Sequence, residues 1–198
     1  MAKLYFKYGA MGCSKSAQAL ITKFNYEERD MKVMLMKPSL DTRDGEGVVS
    51  SRIGLRADAL CVSPDADLFR LYTEKFSDCQ VVIVDECQFL TPEQVDQLGA
   101  LVTELDVPVL CFGLATDFLT HLFPGSKRLF EIAESITEIK SVCRCGRKAT
   151  VNARLDDDGR VLFSGDQVCI GGNERYTAMC RKCWLEKKAE QEREGIYT

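Results

Sequence analysis

Two stretches of this chain carry residue types that together handle phosphate. Residues 9–16 read Gly9-Ala10-Met11-Gly12-Cys13-Ser14-Lys15-Ser16, and residues 81–86 are four apolar β-formers ending in Asp85 and Glu86. In a glycine-rich loop that opens a helix, backbone N–H groups and the positive helix end converge on an anion. Lys15 can reach terminal phosphates, and the Ser16 hydroxyl can ligate Mg²⁺. An acid at the carboxyl end of a buried strand holds Mg²⁺ directly or through water, and the adjacent Glu86 can serve as a general base. Nucleoside triphosphate binding is the chemistry these residues imply. One letter departs from G-x-x-x-x-G-K-[ST]: Ser14 occupies the second glycine position, where the backbone conformation suits glycine best. On the octamer alone, a strand-to-helix turn with an exposed lysine fits equally well; the acidic strand end tips the reading to phosphate.

A third set of residues is a metal-ligand pattern. Of ten cysteines, Cys143 with Cys145 and Cys180 with Cys183 form two close pairs. Two such pairs on tight turns, separated by a strand-like 150–155, a turn at 156–159 and a strand-like 161–163, suit a tetrahedral S₄ site for Zn²⁺. C-x-C is the less common spacing; C-x₂-C is standard. The other six cysteines are scattered singly and read as small, partly buried hydrophobes.

These groups need elements to position them. Alternation of Leu4, Phe6 and Tyr8 with Lys3 and Lys7 predicts a strand, and residues 17–26 a helix, which puts the loop at a strand-to-helix turn. Residues 32–37 read as a second buried strand. The polar 40–47 after it places Asp41 and Arg43 where open α/β sheets bind ligands; an exposed charged loop is the plainer alternative. Residues 65–76 have helical apolar spacing. Thr91-Pro92-Glu93-Gln94 is a capping box with proline at the first helical position, opening a helix to about Leu105. Residues 107–114 form another core strand, so Leu114 and Phe118 can line a pocket, and Phe89, Phe118 and Phe123 can sandwich a flat base. Residues 131–139 are read as leading the chain out of the core, 168–176 as a glycine-containing loop tied by Cys180, and the charged segment from Trp184 as a solvated, fraying helix. His121, the only histidine, is read as a loop residue.

With 198 residues, 45% hydrophobic and 28% charged, the composition suits one α/β core plus a small appended module. The expected division is a nucleotide-binding α/β domain over 1–140 and a zinc-binding module with a C-terminal helix over 141–198. No apolar run approaches a membrane span, and the N-terminus lacks a secretion signal's apolar core, so a cytoplasmic protein is expected. A net charge of −4 gives no global attraction to nucleic acid.

Taken together, the loop 9–16, Asp41-Thr42-Arg43, Asp85-Glu86-Cys87-Gln88-Phe89, Gly113-Leu114 through Asp117-Phe118, the four cysteines, and Ile170-Gly171-Gly172 with Tyr176 resemble the type II, cytosolic-type thymidine kinase family over nearly the whole chain. The resemblance implies a P-loop NTPase-like parallel sheet flanked by helices and a small β-rich zinc lasso domain. It also implies phosphate transfer from ATP to the 5′-hydroxyl of thymidine, a homotetramer, and thymidine triphosphate as a feedback ligand. It further implies that residues 9–16, Asp41, Arg43, Asp85 and Gln88 handle ATP, phosphate and Mg²⁺, with Glu86 as the base. Met11, Phe89, Leu114 and Phe118 would surround the thymine, and Gln167, Val168, Cys169, Ile170, Gly171 and Tyr176 would be lasso contacts. Two readings of other classes compete: a nucleotide-sensing pseudokinase weakened by Ser14, and a P-loop ATPase whose zinc ribbon engages nucleic acid.

Overall fold

The computed structural model describes residues 1–41, 45, 47–167 and 175–195. The chain runs β1 (Leu4–Tyr8), α1 (Lys15–Glu27), β2 (Val33–Pro38), β3 (Val48–Ser50), β4 (Arg56–Asp58), β5 (Leu60–Val62), α2 (Leu68–Lys75) and β6 (Val81–Val84). After a 3₁₀ turn at Cys87–Phe89 come α3 (Pro92–Leu105), β7 (Val109–Gly113), α4 (Pro124–Ile132) and β8 (Ser135–Glu138). The short strands β9 (Ser141–Val142), β10 (Lys148–Ala149), β11 (Val151–Arg154) and β12 (Tyr176–Met179) then lead into α5 (Arg181–Arg193).

Six strands form one parallel sheet in the order β5-β2-β6-β7-β1-β8. Its central strands are apolar on both sides because both faces are covered: Val81, Val82, Ile83 and Val84 are each 0% exposed. On one face Leu4, Phe6, Val82 and Val84 pack with Leu68 of α2, Leu98 and Leu101 of α3 and Leu129 of α4. On the other, Ile83, Leu110 and Phe112 meet Ala19 and Leu20 of α1 and Val49 of β3. The expected capping box is present at α3, where Thr91 accepts from the Gln94 backbone and the Gln94 side chain accepts from Thr91 N.

Three expectations are corrected. Residues 131–139 do not leave the core: β8 joins the sheet parallel to β1, with Tyr5 opposite Ser135. It is an edge strand with Ile136 exposed, so its sequence lacks the apolar run of a central strand. Residues 150–155 and 161–163 share only one bridge, Leu155 with Val161; the ladder partner of β11 is β12, with Val151 opposite Met179. That long-range register brings Cys180 back to Cys143, which a purely local hairpin would not do. The last helix is also better anchored than its charge suggests: Gln191 exchanges two 3.0 Å hydrogen bonds with the Val161 backbone, and Trp184 packs with Val151, Ala153 and Phe163.

Candidate functional site

The turn from β1 to α1 is built by steric necessity. A Cβ on Gly9 would stand 2.3 Å from the Ile139 carbonyl oxygen and 2.6 Å from Cys13 Sγ, and Gly12 has φ +77°. Ser14, the N-cap of α1, sits at φ 65°, ψ 29°, so a serine occupies the left-handed conformation that the standard glycine would adopt freely. For an L-residue that costs about 1–2 kcal/mol. Glycine gains about 0.4–1 kcal/mol of unfolded-chain entropy, which leaves a net difference of about 0.5–1 kcal/mol. Ser14→Gly is therefore expected to raise the urea unfolding midpoint modestly; a lowered midpoint would show that the Ser14 hydroxyl stabilises the loop.

Lys15 is buried, and its ammonium donates to Gly9 O at 3.1 Å, Ala10 O at 3.0 Å and Cys13 Sγ at 3.6 Å. An ammonium has three donors. Engaging a phosphate means releasing one of these contacts, and the thiol is the weakest acceptor.

Strand β6 delivers Asp85 and Glu86 beside this loop. Asp85 is buried, hydrogen-bonded by Ser16, and its Oδ1 has no partner among the described residues. Burial first, and then the neighbouring Glu86 charge, push its carboxyl up to about 7. An orphaned buried carboxylate oxygen beside a helix-terminal hydroxyl is an oxygen donor set that fits Mg²⁺, which takes one or two protein ligands plus phosphate and water. Glu86 has φ 52°, also left-handed, and its Oε2 accepts from Gln88 Nε2 at 2.6 Å. Gln88 in turn accepts from Leu114 N at 2.9 Å through Oε1. Gln88, expected on the phosphate side, is thus fully buried behind Glu86 and fixes that carboxylate against the end of β7. A cavity of about 230 Å³ opens between Met11, Gly12, Ser14, Lys15, Ser16, Arg52, Glu86 and Leu114.

Asp41 is buried outside this lining, with Oδ2 3.5 Å from the equally buried Lys37 ammonium. Lys37 carries no motif, but a lysine at the end of a buried strand has to find an acceptor, and it has Asp41 and, at 3.0 Å, the Gly45 carbonyl. Arg43, Val168, Cys169, Ile170 and Gly171 lie outside the described residues.

Arg154, which carries no sequence motif, ties Phe118 to Tyr176 and Gln167. Arg154 of β11 lies 3.8 Å above the ring of buried Phe118, donates Nε to Tyr176 Oη at 2.9 Å, and donates to the carbonyls of Asp166 and Gln167. Gln167 Nε2 donates to Asp117 Oδ2 at 3.0 Å. Phe89 stacks edge-on against Phe123. Asn152 connects this region to the phosphate loop: its Oδ1 accepts from Met11 N at 2.8 Å and its Nδ2 donates to Thr116 O at 3.0 Å.

The sulfurs of Cys143, Cys145, Cys180 and Cys183 all lie within 4.8 Å of one another. Backbone N–H groups of Cys145 and Cys180 pull the Cys143 thiol down to about 6. The Cys183 N–H donates to Cys180 Sγ at 3.4 Å and lowers that thiol as well. The Cys183 thiol is instead pushed up to about 12, chiefly by its hydrogen bonds with the Cys145 and Cys180 sulfurs, so the four groups do not all favour thiolate without a metal. The fit to Zn²⁺ rests on four sulfur donors converging at tetrahedral-site distances. Ala10 of the phosphate loop packs in the same apolar cluster as Cys143, Ala149 and Cys180.

A family model described as thymidine kinase matches residues 2–184. The chain belongs to the thymidine kinase family. Thymidine kinases of Yersinia pestis and of Enterobacteria phage T4 are 46% and 48% identical to it over 188 residues, 94% of this chain and 96% and 97% of theirs. The thymidine kinase of Shewanella oneidensis is 47% identical over 188 residues, 94% of this chain and 98% of its own. Among solved structures, the Pif1 helicase from Candida albicans aligns with 72% of this chain and 37% of its own at a TM-score of 0.41 and 13% identity, too slight a likeness to argue from. No helix among the described residues is long and apolar enough to cross a membrane.

Proposed function

We propose that this family member is an ATP:thymidine 5′-phosphotransferase of deoxynucleotide salvage in the cytoplasm, yielding thymidine monophosphate and ADP. The observation that carries the reading is the cavity in which Glu86 faces Lys15 and Ser16. ATP phosphates sit on the amides of residues 9–16 and on Lys15. The Glu86 carboxylate, oriented by Gln88, accepts the proton of the thymidine 5′-hydroxyl as that oxygen attacks the γ-phosphorus. Met11, Leu114, Phe89 and Phe118 hold the thymine, and by the family resemblance residues 167–171 and Tyr176 would supply further contacts to it. Ser16 and Asp85 would hold Mg²⁺, which would supply charge neutralisation on the phosphates; by the family resemblance, Asp41 and Arg43 would act near phosphate and metal. Cys143, Cys145, Cys180 and Cys183 hold structural Zn²⁺. Residues 1–140 form the nucleotide-binding domain and 141–198 the lasso domain. The resemblance adds a homotetramer and thymidine triphosphate as a feedback ligand.

The test is transfer of phosphate from ATP to thymidine with Mg²⁺ by zinc-replete protein. Thymidine monophosphate formation supports the reading and shows that Ser14 is tolerated. Thymidine bound without turnover would favour the pseudokinase instead, and ATP hydrolysis stimulated by DNA or RNA the nucleic-acid ATPase.

A further inference from the structure

The phosphate cavity has a second cation that no motif announced. Arg52 lies in the turn between β3 and β4, and its Nη1 is 3.7 Å from the position a Gly12 Cβ would take, directly over the phosphate loop. It lines the same cavity as Lys15, Ser16 and Glu86. Among the described residues its guanidinium makes no hydrogen bond and no ion pair, although Glu186 and Glu190 line the larger cavity on its other side. Lys15, by contrast, has all three donors engaged within its own loop.

The turn that presents Arg52 is well held. Ser51 N and Oγ donate to Leu55 O, Leu55 N donates to Ser51 Oγ, and Gly54 N donates to Ser51 O. Below it, Val49 is buried against Ala19 and Leu20 of the helix that starts at Lys15. The hairpin and the loop are therefore anchored to the same helix. A solvent-facing arginine on a structured turn, aimed at a loop built for anions and committed to no carboxylate, has the chemistry of a phosphate clamp.

We propose that Arg52 is a catalytic residue that contacts the terminal phosphate of ATP and stabilises its charge during transfer, an assignment that rests on the phosphotransfer reading above. As the 5′-oxygen forms its bond to the γ-phosphorus, the bond from phosphorus to the β,γ-bridging oxygen breaks and ADP leaves with that electron pair. The hydroxyl proton goes to Glu86. The negative charge peaks on the γ-phosphoryl and bridging oxygens, where a planar fork of N–H donors is worth more than in the ground state.

The experiment compares the parent protein with Arg52→Ala and Arg52→Lys. Arg52→Ala is expected to lower kcat about a hundredfold, with ADP affinity by calorimetry and the melting temperature unchanged. Arg52→Lys should recover only part of the rate, because a point charge lacks the fork, and millimolar guanidinium ion should restore part of the Arg52→Ala rate. An active parent with an equally active Arg52→Ala overturns the assignment alone. Equal losses of kcat, ADP affinity and melting temperature, without guanidinium rescue, also overturn it by showing a structural role. A parent that transfers no phosphate to thymidine overturns the underlying reading instead.

Discussion

Replacing Glu86 by glutamine is expected to cut kcat for thymidine phosphorylation by about 10²–10⁴ while thymidine and ATP still bind. The substitution is close to isosteric and leaves the local scaffold intact. Gln88 Nε2, which now donates to Glu86 Oε2 at 2.6 Å, can donate equally to a carboxamide oxygen. The backbone at this residue is left-handed in either case, so no new strain enters. What disappears is the proton acceptor, a role realised only as the 5′-oxygen becomes a nucleophile. Burst and steady-state rates, with thymidine binding followed by calorimetry, check the split. Parental turnover in Glu86→Gln would remove it from the role of base and shift attention to Asp85.

Loss of zinc is expected to do more than loosen the C-terminal segment. Structural zinc binding to four thiolates contributes on the order of 10 kcal/mol in small modules, more than the short strands β9 to β12 can supply by burial. The cluster is also tied to the phosphate loop twice: Ala10 packs against Cys143, Ala149 and Cys180, and Met11 N donates to Asn152 Oδ1 on β11. Cys183→Ser is therefore expected to lose bound zinc, to melt earlier, and to show faster hydrogen exchange at the Met11 amide together with weaker ATP binding. Zinc analysis, thermal melting and exchange mass spectrometry test the three consequences. A zinc-free variant with parental Met11 protection and ATP affinity would show that the cluster stabilises only its own segment.

The parallel sheet was legible because its central strands are buried on both faces. Val81 to Val84 and the run before Pro38 read as buried strands in an α/β chain, and local punctuation placed α3 by its Thr91 box. The four cysteines likewise suggested a metal site, and the fold brings their sulfurs within 4.8 Å of one another. Strand β8 was hidden because an edge strand needs no continuous apolar run. The β11–β12 pairing was hidden because nothing in residues 150–163 says which distant segment will complete the ladder.

Sequence by itself determined which atoms could handle phosphate and thiolate metal: Lys15, Ser16, Asp85, Glu86 and the cysteine pairs lie on motifs whose chemistry depends on neighbours a few residues away. Only the tertiary structure decided what surrounds them. It turned Gln88 away from the phosphates to hold Glu86, because a fully buried amide must satisfy both of its ends, and the Leu114 N–H and the Glu86 carboxylate were the groups at hand. It set Lys37 against Asp41, stacked Arg154 over Phe118, and brought Asn152 to Met11 across 141 positions of chain. Buried polar groups take whatever partner the fold delivers, and such partnerships leave no local pattern to read.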